Sequence, residues 1–348
     1  MSRAPDEKIR DLQILQVNLN KSVEAHFDLY NSQIASRFDI IMVQEPYIHP
    51  KFVHIRTPNQ FLPVFPADRL RTPGKMVRSV IWVSVELEIG SWRELPIAGS
   101  NDLTTIQLLG NFGRLTIFNI YNDNTNMDSV KILKKFLPDN TEEVNNSEND
   151  HILWGGDFNC HSALWDRDED MRLFTSETTR WADKLIELVA EHGMQMALPK
   201  GIPTFMHMVW KKESRTDNVW CSEGLINLVN LCEVDHNWDF ISTDHHSIVT
   251  TINLPQHHVE ARLSPNFRMT NWEEFCTELR ANEYFTLPHP QALESKGIQW
   301  NLLGVQRPGN GRDYWQIHQS ESKEFHRPAY TVRDKTVQMF FEFGLLLE

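Results

Sequence analysis

Short apolar runs that end in polar side chains recur along the first two thirds of the chain, and their periods predict most of its elements. Leu12-Gln13-Ile14-Leu15-Gln16-Val17-Asn18-Leu19-Asn20 is mostly apolar and closes on two amides, the pattern of a buried strand. Ser22 then stands where an N-cap is expected, with Val23, Phe27, Tyr30 and Ile34 at i, i+4, i+7 and i+11, one face of a helix. Residues 38–46 form a second buried strand, whose last carboxylate, Glu45, precedes a proline that stops the ladder. Strand, helix, strand makes a crossover unit and predicts Asn18 and Glu45 at one edge of a sheet.

Residues 61–65, 79–85, 102–109 and 114–121 are strand-like runs separated by turn chemistry such as Thr72-Pro73-Gly74. The last two read as a hairpin that carries Asn119 and Tyr121 to its end. Asp128 is expected to cap a helix carrying Val130, Leu133, Phe136 and Leu137, and the acidic, Asn-rich residues 139–150 read as an exposed loop. Thr175 or Ser176 caps a strong helix with Trp181, Leu185, Leu188, Val189 and His192 on one face, and Gly193 ends it. Strand-like stretches return at 228–234 and 239–253. Past Leu254 the pattern weakens. A short helix is expected over 271–281 and little regular structure from 286 on. The predicted organisation is a flexible N-terminus (1–11), a catalytic domain (12–254), a linker with a short helix (255–285) and a poorly ordered tail (286–348).

The chain carries a net charge of −13, most of it in the first 254 residues, which argues against grip on nucleic acid by a broad basic surface. An acidic site that meets phosphate through a divalent cation stays open, because a metal inverts the local charge logic. Cys160, Cys221, Cys232 and Cys276 are scattered, which fits a reducing, intracellular setting. The charged first residues show no secretory signal, and no run is long enough to span a membrane. Cys160 and His161 adjoin each other, but no further Cys/His cluster has metal spacing, so no structural zinc is expected.

The densest chemistry lies in His151-Ile152-Leu153-Trp154-Gly155-Gly156-Asp157-Phe158-Asn159-Cys160-His161. Strand alternation sends Asp157 and Asn159 to one side and Phe158 to the other, while the two glycines allow a turn or a close approach. Similar polar ends recur at Asn18/Asn20, Glu45, Tyr121, Asp217 and Asp244/His245. Buried strands ending this way need partners, and one shared metal and phosphate site would supply them. Each has a plainer reading: Glu45 as a solvated strand end, Tyr121 as a packed hairpin aromatic, His246 as a strand residue facing helix or solvent.

In order along residues 12–254, Val17-Asn18, Gln44-Glu45-Pro46, Asn119-Ile120-Tyr121, Gly156-Asp157-Phe158-Asn159, Ser214-Arg215-Thr216-Asp217 and Thr243-Asp244-His245 resemble the endonuclease/exonuclease/phosphatase superfamily. The run Asn159-Cys160-His161-Ser162-Ala163-Leu164-Trp165 is similar to the continuation found in the apurinic-endonuclease-like domain of non-LTR retrotransposons. The resemblance implies an α/β fold, a four-layer α/β/β/α sandwich of two packed mixed β-sheets flanked by helices. It implies a Mg²⁺-dependent endonuclease, with Mn²⁺ as a substitute, that nicks double-stranded DNA in the nucleus. Glu45 would ligate the metal, with Asp244 as a second contact through water. Asp157 would activate water, Asn159 would hold water and phosphate, and His245, oriented by Asp217, would stabilise the phosphate charge. Tyr121 would act beside them, with Asn18, Asn20 and His161 on the substrate. Asn20 stands where repair relatives carry an acid, Thr216 and Asn218 replace apolar neighbours, and Ser247 replaces a proline. No Tyr-x-Asp-Asp signature is present, so the reverse transcriptase that usually follows on the same polyprotein is expected to be missing and the tail to be a truncated remnant. Two alternatives stay open: another phosphoesterase of the superfamily, acting on RNA or phospholipid and inositol phosphates, and a catalytically inactive binding module.

Overall fold

A computed structural model describes residues 8–258, apart from 33–36, 50–54, 70, 72–74, 89, 208, 210 and 241, together with 300–305 and 314–319. The chain divides into two compact units, 1–264 and 265–348. In the first, β1 (Lys8–Asn18) starts earlier than the expected residue 12 because Lys8 and Ile9 pair with His258 and His257. Ser22 caps α1 (Val23–Asn31), its hydroxyl accepting from the Ala25 amide at 3.1 Å. β2 (Ile40–Gln44) then runs parallel to β1, as a crossover requires. β3 (Phe61–Val64), β4 (Ser79–Ser84) and β5 (Trp92–Glu94) follow. β5 is three residues long, too short to leave a period in the sequence. β6 (Leu103–Gly110) and β7 (Gly113–Tyr121) form the expected hairpin.

Next come α2 (Asp128–Asp139), α3 (Thr141–Val144) and β8 (Asp150–Asp157). α4 (Ser176–Glu191) carries a capping box, in which Thr175 and Thr178 exchange side-chain and backbone bonds. β9 (Met194–Met196), β10 (Phe205–His207), β11 (Lys212–Ser214) and β12 (Asp217–Ser222) precede α5 (Glu223–Ile226). β13 (Val229–Val234) and β14 (Ile248–His258) close the unit. In the second unit, β15 (Trp300–Val305) and β16 (Tyr314–Gln319) pair antiparallel.

Two six-stranded mixed sheets organise the first unit, in the orders β13-β14-β1-β2-β4-β3 and β5-β6-β7-β8-β12-β9. Their facing sides share one apolar layer, to which Ile14, Met42, Ile117, Leu153 and Val219 contribute. The opposite side of the first sheet packs on α1 through Leu15, Val17, Ala25 and Leu29. The opposite side of the second packs on α2 and α4 through Trp154, Leu133, Trp181 and Leu185. Most strands are therefore buried on both faces and read as continuous apolar runs, and the four-layer sandwich expected from the resemblance is the fold.

The two glycines of β8 permit close approach, but to neighbouring strands of the protein: backbone at Gly156, side chains at Gly155. Gly156 has φ +151°, and a Cβ there would lie 1.8 Å from the Ile120 oxygen of β7. A Cβ on Gly155 would lie 2.6 Å from Gln16 Oε1 and 2.8 Å from Met42 Cε, in the facing sheet.

Several expectations are corrected. α1 buries Ala25, His26 and Leu29, whereas Val23 is exposed and Phe27 and Tyr30 are half-buried. The His26 Nε2, 2.8 Å from the Arg56 oxygen, sets that rotation, and Phe27 is left under the Arg56 guanidinium. Asp128 is the first residue of α2, with Met127 at the cap position and no side-chain cap. Residues 139–150 are not all exposed loop: Val144 is buried in α3, and Asp150 opens β8 with Arg114 as its partner. The strand expected to end near 254 runs to His258, and β15 and β16 lie in the stretch where little regular structure is expected. The Thr72-Pro73-Gly74 turn, Ile34, Cys276 and the helix over 271–281 lie outside the described residues.

Candidate active site

Strand alternation carries the apolar layer between the sheets into a polar end. Along β1 the side facing the second sheet runs Leu12, Ile14, Gln16, Asn18. Gln16 Nε2 donates to the Gly156 oxygen at 3.2 Å, and Asn18 Nδ2 to Asp157 Oδ2 at 3.0 Å. Along β2 the same side ends at Gln44, which donates to Asn119 Oδ1 of β7. Asn119 Nδ2 in turn donates to the Val43 and Val80 oxygens at 3.0 and 2.8 Å. Gln16, Gln44 and Asn119 thus stitch the two sheets together under the site.

Tyr121, Asp157 and Asp217 are register partners across β7, β8 and β12, so they form one row at the sheet's end. Asp157 is 2% exposed. Its Oδ2 accepts from Asn18 and from Asn159 Nδ2 (3.1 Å), and its Oδ1 accepts from the Asn159 amide at 3.0 Å. Asn159 lies past the strand with φ 49°, so a left-handed turn, not alternation, brings its amide to Asp157. Burial first, and then the neighbouring Asp217 carboxylate, pushes the Asp157 carboxyl well above the ordinary carboxylate range.

His245 Nδ1 lies 2.9 Å from Asp217 Oδ2, and its Nε2 lies 3.8 Å from Asp244 Oδ1. Burial works against an imidazolium here, but Asp217, Asp157 and Asp244 outweigh it and hold His245 up at about 9. The Phe205 ring packs edge-on against it with centroids 5.0 Å apart. Thr216 and Asn218 have clear roles. The Thr216 hydroxyl donates to Asp217 Oδ2 at 3.0 Å, and Asn218 Oδ1 accepts from Arg215 Nε at 3.0 Å. Arg215 is fully buried, bonding the Leu198 and Pro199 oxygens, and so anchors the strand entry before Asp217.

Glu45 sits just past β2 with φ 44° and is 5% exposed. Burial, the charges of Glu45 and Asp157, and a hydrogen bond to Glu45 hold the Tyr121 hydroxyl protonated well above its ordinary range. The Lys21 ammonium ion-pairs with Glu45 Oε1, an oxygen that is buried and makes no hydrogen bond. A buried carboxylate oxygen satisfied only by a cation fits a metal-binding role. Asp157, Asp217 and His245 also form a group whose ligand atoms lie within 4.8 Å of one another; Glu45 and Asp244 are not in it.

Asn20 Nδ2 donates to Asp244 Oδ1 at 3.0 Å, joining the turn after β1 to the loop before β14. His161 is turned away to Asp166 (3.2 Å) and stacks on Phe174, so no contact joins it to the Asp157 cluster. His246 is not a strand residue; it precedes β14 and bonds Asp239 at 2.8 Å. Two cations escaped sequence reasoning. Lys21 adjoins Asn20, and both have left-handed backbone, at φ 57° and 46°. Arg78 stacks over the Tyr121 ring at 4.7 Å, held by Asp102 and Asp123, and nothing in its local sequence marks it.

The two-sheet sandwich flanked by helices is a fold shared with solved endonuclease structures. Residues 115–249 match the family model described as Endonuclease-reverse transcriptase. The chain is similar in structure to the endonuclease domain of TRAS1, a telomere-specific non-LTR retrotransposon (TM-score 0.54, 20% identity, covering 70% of this chain and 99% of that one). It is also similar to the AP endonuclease LMAP from Leishmania major (TM-score 0.57, 14% identity, 71% and 89% covered). A third is a 3′ phosphatase from Neisseria bound to product DNA hairpin (TM-score 0.50, 15% identity, 70% and 100% covered). Comparison with curated protein sequences gives no significant match.

Proposed function

We propose that the protein is a divalent-metal-dependent endonuclease that hydrolyses a phosphodiester of double-stranded DNA, of the retrotransposon type. The observation that carries this reading is the buried row of Asp157 and Asp217 with Asn18, Asn159 and His245 bonded to it. Similarity to a retrotransposon endonuclease domain and to a 3′ phosphatase bound to product DNA supports the choice of substrate.

Asp157 takes a proton from the attacking water, a role its raised pKa suits, while Asn18 and Asn159 fix which oxygen faces that water. Asp217 holds the Nδ1 proton of His245, leaving Nε2–H to donate to a non-bridging phosphate oxygen as charge grows there. Glu45 would hold Mg²⁺, with Mn²⁺ as a substitute, and such an ion would supply positive charge to the phosphate and leaving oxygen. Lys21 occupies Glu45 and would have to release it to a metal. Tyr121 and Arg78 line the Glu45 side of the row.

The test is conversion of supercoiled plasmid to open circles with Mg²⁺, with Mn²⁺ and with chelator. Metal-dependent nicking is expected. Release of inorganic phosphate or of a lipid head group, with the plasmid intact, would assign another phosphoesterase. No turnover of any of these would leave a binding module.

A further inference from the structure

Sequence spacing showed no metal cluster outside the catalytic row, yet topology builds one behind it. β13 ends at Val234, a single 3₁₀ turn (His236–Trp238) reverses the chain, and residues 239–247 return to open β14. Asp235 caps that turn by accepting from the Asn237 amide at 3.0 Å. His236 and His246 are thereby brought together with their rings edge to face and their centroids 4.7 Å apart. Each presents Nδ1 at 2.8 Å from the same atom, Asp239 Oδ2. Asp239 Oδ1 accepts from the Ser247 amide at 3.0 Å, which fixes the carboxylate. The two nitrogens and the carboxylate oxygen all lie within 4.8 Å of one another.

Two imidazole donors converging on one oxygen crowd their protons onto a single acceptor. One divalent ion replacing both protons would keep all three groups engaged. Nitrogen ligands favour zinc-class ions over Mg²⁺, which prefers oxygen. Bonds of about 2.0–2.1 Å at tetrahedral angles separate ligand atoms by about 3.3 Å, so the present 2.8 Å contacts have to open by about half an ångström. His236 has the freedom to do so, with its side chain 69% exposed, while His246 and Asp239 are held at 13% and 27%. That exposure also leaves a side open to water, as three-ligand sites need. Burial opposes ionisation of Asp239, but the two imidazoles hold its carboxyl below the ordinary range, in the form that ligates.

The geometry points to a binding site for a zinc-class transition-metal ion at His236 Nδ1, Asp239 Oδ2 and His246 Nδ1, with solvent completing the shell. None of the three belongs to the proposed reaction. The ion ties the turn after β13 to the residue next to His245, and so braces the segment that carries Asp244 and His245.

Cobalt is the probe, because its visible absorption reports ligand geometry. The full chain, stripped with chelator, is titrated with Co²⁺ and then with Zn²⁺. One equivalent of Co²⁺ should give the absorption of a four-coordinate nitrogen and oxygen site, and Zn²⁺ should displace it. His236→Ala, at the surface, and His246→Gln should each weaken binding at least tenfold with an unchanged melting curve in chelator. Glu45→Gln and His245→Ala should leave it intact, which separates this site from the catalytic row and makes the result independent of whether the protein nicks DNA. Absence of the absorption, or binding that survives His236→Ala and is lost in His245→Ala, overturns the assignment.

Discussion

At the scale of single residues, the site is a set of charges held by amides. Glu45→Gln keeps the shape of the side chain but removes the charge that Lys21 now balances and that a metal needs. We expect nicking to fall at least about a hundredfold with the melting temperature nearly unchanged; full activity at low Mg²⁺ would refute the ligand role. His245→Ala removes the group bonded to Asp217 and should cost about 3 kcal/mol in the transition state, a factor of hundreds. His246→Ala, which loses only Asp239 and lies off the row, should cost less than about tenfold under Mg²⁺. Equal losses in plasmid nicking would mean the wrong imidazole has been chosen. Asn18, Asp157 and Asp217 stand out in the sequence as polar residues at the ends of apolar strands, and His245 as an imidazole next to an acid just before one. Lys21 and Arg78 do not, since their positions come from a left-handed turn and from a cross-strand stack. The pair His236 and His246 was hidden for a related reason: a reversal of the chain, not a spacing, joins them.

At the scale of elements, capping and strand periods read well wherever local chemistry decides, as at Ser22 and Thr175. Reading failed where a distant partner decides. The rotation of α1 follows from His26 meeting the Arg56 backbone, which no helical period reveals. Asp150 was taken for part of an exposed acidic loop, yet Arg114 forks onto it at 2.9 and 2.6 Å and the Asn146 and Ser147 amides add 2.8 and 2.9 Å bonds. Arg114, despite some opposition from burial, holds the Asp150 carboxyl at about 2. Its folded value lies below the unfolded value of about 3.9, so the stability it contributes is present above pH about 4 and is lost as pH falls through about 2. Asp150→Asn should therefore cost about 2 kcal/mol at neutral pH, and its stability should fall less than wild type's between pH 4 and 2. Denaturant titrations in which the two proteins decline in parallel would rule this out.

At the scale of the molecule, the crossover joining β1 to β2 followed from the apolar pattern, and the two-sheet class from the family resemblance of the motifs. The last residues of β14 did not, because Gln256, His257 and His258 are polar and give no apolar period. A chain ending near residue 264 should melt cooperatively and nick as well as the full chain, since its internal contacts form one compact unit. One ending near 246 lacks β14, which lies between β13 and β1, and should not fold. If the 264-residue chain is insoluble while the full chain is active, the second unit contributes to the catalytic fold.

The pairing of β1 with β14 has a consequence for how the protein is made. β1 finds its antiparallel neighbour only when the residues up to His258 have been synthesised. At about 5–20 residues per second, that is a delay of roughly ten to fifty seconds. Until then the nascent chain holds one open strand edge, and Asn18 waits without the histidine made near the end of the same unit. On the proposed reading, a chain released before residue 245 lacks His245 and a strand of the first sheet, and should be inert in the plasmid assay.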